Sequence, residues 1–192
     1  MWECPDFFPV GDPDRNTRVL VISPQDVTAE WPEFHNGNNA LFLIGEYEKE
    51  NHLFCRNRVQ SADYGLDYYA PQTTQAPDGR RILIAWMKSW DTNIFPEGFS
   101  WNGMTTVPRE VSIREEDGRI LQNPVRELER YHGTPVCAEQ VHVHEPVSFE
   151  GIRGRIADLQ VEIEGRGFGT FTISVAADEK RHTDIVYDEE TE

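Results

Sequence analysis

Residues 77–87, Pro77-Asp78-Gly79-Arg80-Arg81-Ile82-Leu83-Ile84-Ala85-Trp86-Met87, join a turn to a strand. Proline presets φ for the first corner of a turn, and glycine tolerates the positive φ that closes it. The apolar run behind the turn is strand-sized and too short to cross a bilayer. Similar units flank it. Arg18–Ser23 is an apolar run closed by Pro24, and Asn39–Glu46 is another. Leu53–Arg58 follows the charged turn Lys49–Asn51. Val107–Ile113 and Arg119–Leu121 enclose Glu116-Asp117-Gly118, a hairpin signal.

The last third alternates with a period of two. Leu159, Val161 and Ile163 interleave with acidic and amide residues, and Phe171, Ile173 and Val175 with Thr170, Thr172 and Ser174. This pattern predicts strands with one wet face, joined by a turn at Glu164–Gly169. Helical periodicity is confined to Pro124–Tyr131. Short strands over residues 18–122 fit propeller blades or a barrel, and the pattern after Val136 fits a sandwich. The reading is therefore all-β. A polar turn at 132–135 is the linker between residues 1–131 and 136–192, and the acidic end Asp188–Glu192 is expected to fray.

Composition narrows the function. The 192 residues carry 18 Lys+Arg against 34 Asp+Glu, a formal charge of −16. Such a charge repels nucleic acid and anionic membrane, so neither is expected as a partner. The start, MWECPDFF, has neither the basic stretch nor the apolar run of a signal peptide. Cys4, Cys55 and Cys137 form no CxxC pair, and a reducing, cytoplasmic setting is expected.

Few residues stand out as chemistry. Glu3 lies between Trp2 and Cys4, ahead of Phe7-Phe8. A desolvated carboxyl can stay protonated and serve as a general acid, although a terminal Glu can equally be an ordinary loop residue. Tyr68, Tyr69, Trp86, Trp90 and Trp101 could stack on sugar rings or fill the core. Trp90 and Trp101 flank a polar loop, which favours the first role. His142 and His144 form an HxH on an expected strand, but no third ligand has zinc spacing, so no metal and no cofactor is expected. Asp12-Pro13-Asp14 and Glu115-Glu116-Asp117 read as turns.

Four segments, in order, resemble glycoside hydrolase family 32, the invertase and sucrose-6-phosphate hydrolase family. Trp2–Phe8 is similar to its ECP motif and Asp67–Gln72 to its DFYAPQ segment. Arg80–Met87 with Trp90 is similar to its RRILIGWM…W strand, and Trp101–Glu110 to its WNG…LPRE segment. Asn123–Leu128 fits the run that follows the propeller. The resemblance implies a partial five-bladed β-propeller, the later blades, followed by part of a β-sandwich. It also implies cleavage of β-fructosides with retention. It makes Glu3 the acid/base, places Tyr69 and Trp90 beside the fructosyl unit, and sets Cys4 as an apolar neighbour of the acid.

A retaining glycosidase also needs a carboxylate nucleophile roughly 5–5.5 Å from the acid. The family's Asn-Asp-Pro and Arg-Asp-Pro motifs, which carry its other two acidic residues, do not occur here, and Asp12-Pro13 follows Gly11. The expectation is an internal piece of a longer enzyme, inactive as an isolated chain. Its open strand edges would favour homo-oligomerisation or docking onto a complementing upstream half. Its substrate would be a small sugar: sucrose, sucrose 6-phosphate or a fructan. The alternatives are a non-catalytic β-rich fragment with a residual carbohydrate-binding or assembly surface, and a lectin-like domain.

Overall fold

The computed structural model describes residues 1–31, 33–88, 97–154, 156–165 and 167–191. The chain divides into two units, Met1–Glu129 and Arg130–Glu192.

The first unit is two antiparallel meanders of four strands each. One contains β1 (Trp2–Pro9), β2 (Thr17–Pro24), β3 (Leu41–Glu48) and β4 (Leu53–Ser61), hydrogen-bonded in chain order. The other contains β5 (Tyr69–Gln75), β6 (Arg81–Trp86), β7 (Arg109–Arg114) and β8 (Arg119–Pro124), again in chain order. Four-stranded meanders of this kind are propeller blades. The apolar runs seen in the sequence form β2, β3, β4, β6, β7 and β8. A 3₁₀ helix follows at Arg126–Tyr131, where the helical spacing lay.

Period-two alternation explains the packing. Val19 and Val21 of β2 and Phe42 and Ile44 of β3 join a buried cluster with Leu83, Ala85, Val111 and Ile120 of the second sheet. Their chain neighbours Ile22, Leu41 and Leu43 turn to the opposite face and pack with Leu20, Phe34, Phe54 and Val59. The first sheet thus carries apolar side chains on both faces, as a blade between two neighbours must.

Polar side chains knit the two sheets at their outer strands. Gln60 of β4 donates to the Ile120 carbonyl and accepts from the Ile120 amide, both at 2.9 Å, so its amide stands in for a strand partner at the β8 edge. Gln122 of β8 donates to the Ala62 carbonyl at 2.7 Å. Arg109 of β7 pairs with Asp63 at 2.8 Å, and its guanidinium lies over the Tyr68 ring.

Two strands of this unit carry no simple sequence signal. Strands β1 and β5 each contain a bulge, between Glu3 and Asp6 and between Tyr69 and Gln72. In both, a residue with positive φ precedes a proline: Cys4 (φ 47°) before Pro5, and Ala70 (φ 50°) before Pro71. The bulge interrupts alternation, so the sequence does not read as a strand.

In the second unit, β9 (Thr170–Val175) pairs with β10 (Thr183–Asp188), from Thr170↔Asp188 to Val175↔Thr183. The expected strand at Leu159–Ile163 is absent: residues 156–165 carry no strand, and these side chains remain substantially exposed. An alternating segment becomes a strand only when a neighbour takes its backbone groups, and β9 takes β10 instead. The expected turn at Glu164–Gly169 has a different role. The Glu189 carboxylate accepts from the amides of Gly167, Phe168 and Gly169 at 2.9–3.4 Å. That also ties down Glu189, in the segment expected to fray. His142 and His144 lie outside any strand, and no metal-ligand cluster occurs among the described residues. The fold is all-β: two four-stranded sheets, as in a partial β-propeller, followed by the β9–β10 hairpin.

Candidate active site

The paired bulges bring chemistry-bearing residues together. Strands β1 and β5 lead their sheets and meet where both are bulged. The Tyr69 hydroxyl donates to Glu3 Oε2 at 2.7 Å, and the Gln25 amide, just past the end of β2, donates to the same oxygen at 2.8 Å. One residue further on, Gln72 donates to the Cys4 carbonyl at 2.9 Å. Beyond that, the Asp6 carboxylate accepts from the Thr73 amide at 2.7 Å and from its hydroxyl at 2.5 Å. Three successive contacts therefore join the two strands, and each uses a residue of one bulge or a residue beside it.

Local geometry explains why Glu3 points where it does. Glu3 is opposite Ser23 in the β1–β2 ladder, and Asp6 is opposite Val21. Cys4 and Pro5 together face the single residue Ile22, which turns the strand and re-aims the side chains on either side. Tyr69 is opposite Trp86, with Ala70 and Pro71 facing Ala85 alone. Tyr69 is almost wholly buried. Burial first, and then its hydrogen bond to Glu3, push its phenol up to about 12. Tyr69 is therefore a proton-bearing donor throughout the neutral range. Glu3 itself is half-buried, and Cys4 is exposed.

The segment from Trp101 to Glu110 lines the end of β6. Thr106 donates from its amide to the Ala85 carbonyl and accepts the Ala85 amide on its hydroxyl, at 2.9 and 3.1 Å. Gly103 has φ +78°, and a Cβ there would collide with Nε1 of Trp86. Close approach to the indole therefore requires glycine. Trp86 is half-buried, whereas Trp101 is exposed and stacks edge-on against Phe99 at 4.8 Å. Arg80, from the turn before β6, anchors this region. It binds Asp78 at 2.7 Å and both Glu110 and Glu127 at 2.5 Å.

Of the residues named from sequence, Glu3, Cys4 and Tyr69 come together, and Trp90 lies outside the described residues. Sequence reasoning missed Gln25, which only the β1–β2 register places beside Glu3, and Asp6 with Thr73. A cleft of about 320 Å³ lies elsewhere. It is lined by Val10, Arg15, Thr17, Ile113 and Glu115, past the far end of β1, and shares no residue with the Glu3 cluster.

Comparison with known proteins sets this cluster in context. Residues 1–124 match the family model "Glycosyl hydrolases family 32 N-terminal domain". The raffinose invertase of Escherichia coli is 38% identical over 157 residues, covering 76% of this chain and 32% of that protein. The sucrose-6-phosphate hydrolase of Vibrio alginolyticus is 33% identical over 171 residues, covering 88% and 32%. Among solved structures, a β-fructofuranosidase of Bombyx mori superposes with a TM-score of 0.62 at 32% identity, over 71% of this chain and 28% of that one. A variant of that enzyme in complex with sucrose superposes equally well. The chain thus spans about a third of the length of the curated relatives it matches. From residue 1 to residue 124, through both four-stranded sheets and the Glu3 cluster, this chain belongs to the glycosyl hydrolases of family 32.

Proposed function

We propose that this chain carries the proton-donating half of a retaining β-fructofuranosidase site that acts on sucrose or sucrose 6-phosphate. The observation that supports it is the Glu3 carboxyl, held on one oxygen by Tyr69 and Gln25. In this reading Glu3 protonates the glycosidic oxygen as the bond to the fructosyl carbon breaks. It then takes a proton from the water that releases fructose. Tyr69 borders the fructosyl unit, and Cys4 flanks the acid. The nucleophilic carboxylate comes from outside these 192 residues, because the nearby Asp6 is committed to Thr73. These residues by themselves are then inactive, and activity requires the carboxylates of earlier propeller strands. The free cysteines suit a cytoplasmic setting.

The test is glucose release from sucrose and from sucrose 6-phosphate. The purified chain is assayed alone and after mixing with the preceding segment of the Escherichia coli raffinose invertase. Turnover that needs the mixture and is lost in Glu3→Gln supports the proposal. Turnover that survives Glu3→Gln refutes it. A mixture without turnover favours the second reading, a non-catalytic β-rich fragment with a residual sugar-binding surface. That reading is favoured by Asp6's engagement with Thr73.

A further inference from the structure

Both hydrogen bonds to the Glu3 carboxyl end on the same oxygen. Tyr69 and Gln25 donate to Oε2, and Oε1 takes no hydrogen bond from any described residue. We propose that Gln25 and Tyr69 are a positioning pair that divides the labour of the two carboxyl oxygens: Oε2 is held as the acceptor, and Oε1 carries the proton. The proposal rests on the acid/base reading of Glu3 and adds to it which atom transfers the proton and which residues decide this.

The argument is one of donor and acceptor inventory. A protonated carboxyl has one O–H donor, while its carbonyl oxygen keeps two acceptor sites. The Gln25 amide nitrogen can only donate, and it is this nitrogen that lies 2.8 Å from Oε2. The Tyr69 hydroxyl has one proton and, among the described residues, two oxygens in reach: Glu3 Oε2 at 2.7 Å and the Ser23 carbonyl at 3.3 Å. The shorter contact takes it. With both acceptor sites of Oε2 filled by donors, a proton on Oε2 would displace one of them. A proton on Oε1 displaces nothing.

The chemistry follows. As the glycosidic bond breaks, its electron pair goes to the leaving oxygen and the proton passes to it from Oε1. The fructosyl carbon bonds to the nucleophilic carboxylate supplied from outside these residues. The charge left on Glu3 spreads to Oε2, where two donors already point. Hydrogen bonds to a charged acceptor are stronger than those to a neutral one, so this pair stabilises the carboxylate product of the step.

The carbonyl stretch of the protonated acid reads the assignment directly and needs no turnover. Acid-minus-neutral infrared difference spectra of the full chain are recorded with and without Glu3→Gln, which identifies the Glu3 band. The proposal requires a band at the low frequency of a carbonyl that accepts two hydrogen bonds. Its frequency should rise in Tyr69→Phe, rise in Gln25→Met, and rise further in the double variant. A wild-type band at the frequency of a free carbonyl, or one that Gln25→Met leaves unmoved, overturns it. Gln25 is only half-buried, so that variant decides the matter even if Tyr69→Phe does not fold. Loss of the acid/base reading would show instead in the sucrose assay, as turnover that survives Glu3→Gln.

Discussion

The Tyr69 hydroxyl reaches Glu3 Oε2 at 2.7 Å across 66 residues of chain, and so joins the first strand of one sheet to the first strand of the next. Tyr69→Phe keeps the ring and removes this bond and the weaker one to the Ser23 carbonyl. The expected cost is about 1–2 kcal/mol, measured as a lower urea midpoint at unchanged slope. The phenol is raised from 10 to about 12, so its contribution is complete below pH 10 and declines as pH climbs toward 12. Over that window wild-type stability should fall with pH, and Tyr69→Phe should lessen the fall.

Asp6 and Thr73 form another polar clasp between these strands. Asp6→Asn keeps the shape but replaces an acceptor-only group with an amide that must rotate to serve one donor. A loss of about 1–3 kcal/mol is expected. A double-mutant cycle with Thr73→Val should show coupling on the order of 1 kcal/mol. Strict additivity would mean the clasp contributes nothing.

Acid sensitivity should centre on Arg80. Hydrogen bonds from its guanidinium hold the carboxyls of Asp78, Glu110 and Glu127 below their usual range, with Glu127 at about 2. Depressed carboxyls contribute stability above their unfolded values and lose it as pH falls through their folded ones. The thermal midpoint should therefore drop from about pH 4.5 down toward pH 2. Arg80→Met should start lower at neutral pH and change less over that window. Parallel curves for the two proteins would show that the cluster is not the sensor.

Glycine substitutions separate backbone strain from collision. Gly79 and Gly103 both have positive φ, but a Cβ at Gly79 meets open space whereas one at Gly103 meets the Trp86 indole. Gly79→Ala should cost about 1 kcal/mol. Gly103→Ala should cost more and shift the tryptophan emission, because the indole or the 101–106 segment must move.

Much of the first unit was legible because its strands are apolar runs closed by turn residues with a physical role. Pro77-Asp78-Gly79 before β6 is the clearest case. Strands β1 and β5 were not legible as strands, since Cys4-Pro5 and Ala70-Pro71 break the period of two that a strand signal requires. Leu159, Val161 and Ile163 show the reverse failure: their alternation is good, but no neighbouring strand pairs with them. Glu3 and Tyr69 were visible through motif order. Gln25 was not, because nothing at Pro24-Gln25 marks a side chain as catalytic support until the β1–β2 register is known.

Glu3 and its phenolic partner sit on different sheets, and the interlocking of Phe42, Leu83, Val111 and their neighbours sets the distance between those sheets together with the polar contacts at their edges. Glu3 is thus a vernier for the seam between two blades. Trimming Leu83, deep in that seam, should loosen the alignment of the Glu3 carboxyl, with which it shares no bond.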